Sequence, residues 1–313
     1  MYRNEAGSIT SDSTEQKKPG RITKGVGGEY TILLEDGGCV LAKPRGIFRK
    51  SRITPTVGDF CEIEPSGDPD IPYTIVSIKE RKNALIRPSV SNIDVLIIAV
   101  STCEPQPDLK LLDKLLILCA KLDIRPIVWL TKSDLSREKA DALKSEYQQA
   151  GFHVVETSVE TMLPKDQIHE IFQGHTVGIA GQSGVGKSTL CHRLTGMDHI
   201  EVGDISERLR RGKHTTRHVE LFPFEGGFLI DTPGFSSLEV DRIGIEEEDL
   251  IGGYPELVAI SGKCRFLDCR HNGELGCAVE ESGISEGRLA RYREFLDIII
   301  ENSKKYGKKK EGL

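Results

Sequence analysis

The chain has 313 residues, 38% of them apolar, and a formal net charge of −6. That is length enough for two or three domains with cores of their own. No apolar run reaches the roughly 18 residues of a membrane span, and residues 1–18 are polar, without the apolar stretch of a signal peptide. A cytoplasmic protein with no membrane contact is therefore expected, and a monomer. The negative total argues against nucleic-acid binding by overall charge, yet three local clusters are basic. They are Lys43, Arg45, Arg49, Lys50 and Arg52; Arg208, Arg210, Arg211, Lys213 and Arg217; and Lys304, Lys305, Lys308, Lys309 and Lys310. Each is either a solvated face or a phosphate-binding patch.

In chain order, residues 1–19 read as a flexible tail. From 20 to 80 short strands alternate with turns: 30–35, 39–43, 57–64 and 71–78, with Asp36-Gly37-Gly38 as a turn. About five strands with one long basic connection suit a small barrel of the OB type. The period then changes. Residues 94–100 (DVLIIAV) form a continuous apolar run, as in a parallel strand buried on both faces. Residues 108–122 carry apolar side chains at helical spacing. A second buried strand is expected at 125–130, a polar-faced helix at 136–150 closed by Gly151, and strands at 152–156 and 176–180. Such alternation means an α/β sheet, here spanning 81–240. A hairpin, 219–224 with 227–230, joins it. Residues 241–313 hold an acidic stretch, a cysteine cluster, a final helix at 285–301 and the lysine tail.

The chemistry sits at the ends of these strands. Gly181-Gln182-Ser183-Gly184-Val185-Gly186-Lys187-Ser188 fits G-x-x-x-x-G-K-[ST] between a strand and a helix. Its curled backbone presents N–H groups to phosphate oxygens. Lys187 would reach the β- and γ-phosphates and Ser188 would ligate Mg²⁺; Thr189 completes the phosphate-binding set. Phosphate does not choose the base. Thr131-Lys132-Ser133-Asp134, after a buried strand, reads as an [NT]-K-x-D guanine motif. A buried Asp134 carboxylate would accept from guanine N1–H and N2–H₂, and the Lys132 stem would lie across the base. Thr131 stands where Asn is usual, and its hydroxyl reaches less far. Glu156-Thr157-Ser158 follows one helix and one strand later, with Ser158 offering a backbone N–H to guanine O6.

Asp231-Thr232-Pro233-Gly234 ends the hairpin. Asp231 would hold Mg²⁺ through a water, and the Gly234 N–H would sense the γ-phosphate. Phe235 follows where many GTPases have a water-positioning glutamine, so that role is unfilled. Between lies Arg210-Arg211-Gly212-Lys213-His214-Thr215-Thr216-Arg217, in the place of switch I. Thr216, rather than Thr215, is expected to complete the Mg²⁺ shell. His214 is either the group that polarises water near neutral pH or part of a solvated, RNA-binding loop.

The motif order is informative. Conventional G domains run P-loop, switch I, D-x-x-G, N-K-x-D. This chain runs TKSD, ETS, P-loop, switch I, DTPG, as in a circular permutant, which keeps the sheet while moving the chain ends. Finally, Cys264, Cys269, His271 and Cys277 offer three thiolates and an imidazole, suiting one closed, structural zinc site. The remaining five of the eight cysteines read as core thiols.

With these residues in view, the chain resembles the RsgA/YjeQ family of ribosome small-subunit-dependent GTPases. The resemblance is carried by Arg81, Leu85, Arg87, Pro88, Asn92 and Asp94, by GQSGVGKS, by Gly212, His214, Thr215 and Thr216, by DTPGF and by the Cys-Cys-His-Cys cluster. It implies a multi-domain α/β protein: an N-terminal OB-type barrel, a circularly permuted P-loop GTPase domain and a C-terminal helical zinc-binding domain. It also implies binding of GTP/GDP, and of the small ribosomal subunit and its rRNA during late maturation, with hydrolysis stimulated by that subunit. In the family, the histidine matching His214 is proposed to aid hydrolysis. Thr131 and Arg217 depart from the family pattern. A nucleotide-gated RNA-binding protein, a permuted GTPase acting on the large subunit, and a P-loop kinase are the alternatives.

Overall fold

The computed structural model describes residues 17–46, 48, 53–86, 88–158, 160–161, 163–196, 219–231 and 244–310. It divides into two units, one ending at Glu80 and one beginning at Arg81.

The first unit is a closed barrel of five strands: β1 Lys18–Val26, β2 Glu29–Leu34, β3 Cys39–Pro44, β4 Phe60–Pro65 and β5 Tyr73–Ile78. β1 pairs with β2, β2 with β3, β3 in parallel with β5, and β5 with β4. β1 also pairs with β4, Lys18 opposite Ile63, which closes the ring. Every strand turns alternate side chains inward, and Ile22, Ile32, Ala42, Ile63 and Ile75 are fully buried. β1 begins inside the segment read as a tail, because Lys18 and Pro19 supply the closing pairs. Of the first basic cluster, Lys43 lies 3.3 Å from Glu29 and Arg45 2.9 Å from Glu64. These exposed pairs are weak enough to exchange for other anions. Arg49, Lys50 and Arg52 lie outside the described residues.

The second unit is built on a six-stranded sheet. A two-residue ladder, β6 Ala84–Leu85 with β7 Val90–Ser91, precedes β8 Val95–Ser101. There follow helix α1 Leu109–Lys121, β9 Arg125–Thr131, α2 Arg137–Gln149, β10 His153–Glu156, α3 Lys165–Phe172, β11 Thr176–Ala180, α4 Lys187–Thr195, and the hairpin β12 Glu220–Phe224 and β13 Gly227–Asp231. The order is β10-β9-β8-β11-β13-β12. All neighbours are parallel except β12 against β13. Seven consecutive residues of β8 are buried, as its unbroken apolar run predicts for a sheet covered on both faces. Asp108 caps α1, its carboxylate accepting from the Leu111 N–H at 2.9 Å, and Ser136 caps α2. Helix α3 was not read from the sequence. It is two turns long and starts at Pro164 with no side-chain cap, so it lacks the usual start signal.

The described C-terminal residues pack on α1 and α2. They comprise α5 Glu247–Leu250, α6 Pro255–Val258 and the long α7 Glu286–Lys310. Leu250, Tyr254, Leu257, Tyr292, Phe295 and Leu296 form one apolar cluster with Ile117 of α1. Helix α7 runs well past the expected end near 301. Cys61, Cys119 and Cys191 are core thiols, but Cys39 is exposed and Cys103 half-buried. Among the described residues no helix is long and apolar enough to cross a membrane.

Candidate functional site

The five parallel strands share a direction, so their carboxyl ends lie along one sheet edge, where open α/β sheets collect ligands. β11 ends there in the glycine-rich loop, β9 in TKSD, β10 in ETS and β13 in Asp231. Sequence separation vanishes at this edge.

The loop 181–188 is shaped by its backbone. Gly181 has φ +142, and a Cβ there would stand 2.2 Å from the Ala99 carbonyl oxygen of β8. No larger residue fits without moving the strand. Gly186, also left-handed, caps α4, whose first residues are Lys187, Ser188 and Thr189. A helix N-terminus with its dipole suits an anion. Lys187 is buried, and its Nζ donates to the Gly181 and Gln182 carbonyls at 2.9 and 2.7 Å. Ser183 and Gly184 are exposed at the tip and Val185 is buried below it.

TKSD is fastened to that loop. The Thr131 Oγ1 donates to the Val185 carbonyl at 2.6 Å. The reach in question in the sequence therefore suffices for a backbone partner inside the glycine loop. Lys132 Nζ donates to the Gly184 carbonyl at 3.0 Å and to Glu104 O at 2.5 Å. Ser133 Oγ donates to Thr157 O at 3.2 Å, joining TKSD to ETS. Asp134 is exposed rather than buried, open to whatever lies over the loop.

Thr157, the middle residue of ETS, has no role of its own in the motif yet is a fastening point. Its hydroxyl accepts from Trp129 Nε1 at 2.8 Å, and its carbonyl takes both the N–H and hydroxyl of Ser133. Nothing in the sequence marks a carbonyl as a fastening point. The Ser158 N–H donates to Thr161 O at 3.2 Å, and its carbonyl accepts from Arg193. His214, Thr215, Thr216, Gly234 and Phe235 lie outside the described residues, as does the second basic cluster. Asp231 closes β13, paired with Glu220.

Away from this edge, Cys264, Cys269, His271 and Cys277 bring four ligand atoms within 4.8 Å of one another. His271 Nδ1 lies 3.6, 3.9 and 3.4 Å from the three sulfurs in turn. A tetrahedral ion with ordinary Zn–S and Zn–N bonds needs N–S edges of about 3.6 Å, so the quartet fits a metal ion. Burial holds the His271 imidazole below its ordinary value, leaving the ring neutral near pH 7 with a lone pair to offer. Burial likewise pushes the Cys269 thiol up to about 12, so its ionisation calls for a cation at that point. Glu274 anchors the loop, accepting from the N–H groups of Arg270 at 3.0 Å and Asn272 at 2.7 Å. Cys269→Ser is expected to release the metal and remove at least about 4 kcal/mol of stability, a fall of roughly 10 °C in Tm. Metal analysis beside a thermal melt checks this. A wild-type chain that is metal-free and equally stable would refute it.

The comparisons with known proteins agree with this geometry. The model of the RsgA GTPase family matches residues 78–241, and that of the RsgA N-terminal domain matches 19–70. The small ribosomal subunit biogenesis GTPase RsgA of a Geobacillus species is 40% identical over 296 residues, covering 92% of this chain and 99% of the relative. Its Bacillus velezensis counterpart is 41% identical over 297 residues, with the same shares. Of solved structures, YloQ, a circularly permuted GTPase, superposes with a TM-score of 0.74 at 34% identity, covering 93% of this chain and 98% of that one. YjeQ from Thermotoga maritima gives 0.73 at 29%, covering 91% and 99%.

Proposed function

The chain belongs to the RsgA GTPase family and is a GTP hydrolase, and from that premise we propose that it serves the late maturation of the small ribosomal subunit, bound to rRNA and stimulated by that subunit. The names of the relatives support the partner. The observation that supports the nucleotide reading is the bonding of TKSD to the glycine loop through Thr131 and Lys132, as expected if base and phosphate are recognised side by side. In this reading residues 20–80 are the RNA-binding barrel, 81–240 the permuted G domain and 241–313 the metal module, holding one structural zinc ion. The protein works in the cytoplasm as a monomer.

Lys187 would meet the β- and γ-phosphates, the N–H groups of 183–189 their oxygens, and Gly234 the γ-phosphate. Asp134 would select guanine, with Ser158 at its O6. Ser188 and Thr216 would ligate Mg²⁺ and Asp231 would hold it through a water; the ion neutralises charge on the transferring phosphoryl group. Phe235 cannot orient water, so His214 takes that task once its basic loop docks on rRNA phosphates.

Intrinsic turnover is thus expected to be slow. Small subunits should raise it strongly, less so at higher salt as phosphate contacts are lost. His214→Ala is expected to lower the stimulated rate about 100-fold or more while GTP binding persists. Single-turnover hydrolysis with small and with large subunits, at several salt concentrations, is the test. Equal stimulation by large subunits, or by neither, sinks the proposed partner. Full stimulation of the variant sinks His214.

A further inference from the structure

β8 carries none of the nucleotide motifs, yet its end meets Lys132. We propose that Ser101 and Thr102 are positioning residues for base recognition: the Thr102 hydroxyl holds the Lys132 carbonyl, the Ser101 hydroxyl holds the Glu104 carbonyl that accepts the Lys132 amine, and together they set the register of Asp134. The inference rests on the reading of 131–134 as the guanine motif.

Both residues are fully buried. Thr102 Oγ1 donates to the Lys132 carbonyl at 2.8 Å, and the Thr102 N–H donates to the Thr131 carbonyl at 3.1 Å. Ser101 Oγ donates to the Glu104 carbonyl at 2.8 Å. That same oxygen accepts from Lys132 Nζ at 2.5 Å. The serine therefore fixes the carbonyl that the lysine amine grips, while the threonine fixes the lysine's own carbonyl.

The backbone explains why such a grip is needed. Lys132 has φ +56, a left-handed conformation that a residue with a Cβ keeps only when its surroundings enforce it. Two successive carbonyls, of Thr131 and Lys132, are each held by Thr102. Without the hydroxyl, the Lys132 carbonyl keeps only the Leu135 N–H at 3.1 Å, a bond within the same turn, and the peptide is freer to rotate toward the ordinary region. Asp134, two residues on and exposed, would swing with it. Thr131 Oγ1 and Lys132 Nζ would still tie the motif to the glycine loop. Phosphate binding should then suffer less than base discrimination.

That split gives the test. The full chain is assayed by displacement of a fluorescent guanine nucleotide with GDP, inosine diphosphate and ADP. Inosine lacks the N2 amine, so the ratio of GDP to inosine diphosphate affinity reports one of the two bonds to Asp134. Thr102→Val, near-isosteric but without the hydroxyl, is expected to weaken GDP about tenfold, which is about 1.4 kcal/mol. It should weaken inosine diphosphate less, so the ratio falls. Thr102→Ser should keep both values. Ser101→Ala should shift the ratio in the same direction, and it carries the test if Thr102→Val does not fold. An unchanged ratio in the valine variant, or a serine variant as poor as the valine one, overturns the inference. In the first case the hydroxyl does not position the motif, and in the second only packing matters. A wild-type chain that binds ADP as well as GDP removes the guanine reading itself, and this inference with it. A wild type selective for GDP with an unchanged Thr102→Val ratio removes this inference alone.

Discussion

Asp134→Asn is expected to weaken GTP at least about 100-fold and to turn the site toward xanthosine triphosphate. A carboxylate facing guanine offers acceptors to both N1–H and N2–H₂, each bond to a charged acceptor being worth about 1.5–3 kcal/mol. The amide replaces one acceptor by a donor, so one bond becomes a donor–donor clash. Xanthine carries a carbonyl oxygen where guanine carries the N2 amine, and the new donor meets it. The structure supports the needed separation of roles. Asp134 is exposed at the loop surface, whereas Thr131 and Lys132 make the bonds to the glycine loop. The exchange should therefore change the base preferred without dismantling the phosphate site. Competition between the two triphosphates for wild type and variant measures it. A variant that binds GTP as well as wild type would remove the guanine assignment.

The second large effect concerns stability. Arg288 of α7 is 1% exposed at its side chain and Asp113 of α1 is 0% exposed, and they meet at 2.6 Å. Arg288 also bonds Glu256 at 2.8 Å and the Gly253 carbonyl at 2.8 Å, and lies 4.2 Å from the Tyr254 ring centre. Arg291 takes the other oxygen of Asp113 at 2.5 Å, and the Tyr147 hydroxyl donates to Asp113 at 2.8 Å. Burial works against the Arg288 charge, but Asp113 and Glu256 outweigh it and raise its pKa above the ordinary value. Burial and the Asp113 charge raise the Tyr147 and Tyr254 hydroxyls, which stay protonated as donors. Arg288→Ala leaves these acids buried with too few partners, expected to cost about 3–5 kcal/mol. The Lys110–Glu294 pair joins the same two helices at the same 2.6 Å, but its side chains are 57% and 45% exposed. Lys110→Ala is expected to cost under about 1 kcal/mol. Chemical denaturation of both variants compares them, and equal losses would show that burial does not decide the strength of this contact.

Different parts of the molecule were legible to different degrees. The glycine loop could be read because its geometry is local: glycines at fixed spacing, then a lysine that opens a helix. Helix α1 followed from apolar spacing, since Leu112, Leu115, Leu116 and Cys119 share one stripe, but Asp113 and Ile117 lie off that stripe and are buried against the C-terminal elements. The four Cys and His side chains that could hold a metal ion are close in sequence and meet in space because a short loop has few ways to run. Helix α3 was missed for the opposite reason, a short element without a cap.

The order of motifs along the chain was enough to show a permuted G domain, because each motif needs only its own strand end. Tertiary structure alone decided what those strand ends do to one another. Thr131 reaches Val185 across 54 positions, and Lys132 reaches Gly184 across 52. Their partners are backbone carbonyls, which every residue has and no sequence pattern marks. The same holds for Thr102 and Ser101, whose hydroxyls look like any others at the end of a strand. Arg288 and Asp113 stand 175 positions apart. A charged residue on a helix reads as solvent-facing until packing encloses it with an opposite charge, and that enclosure exists only once both helices are in place.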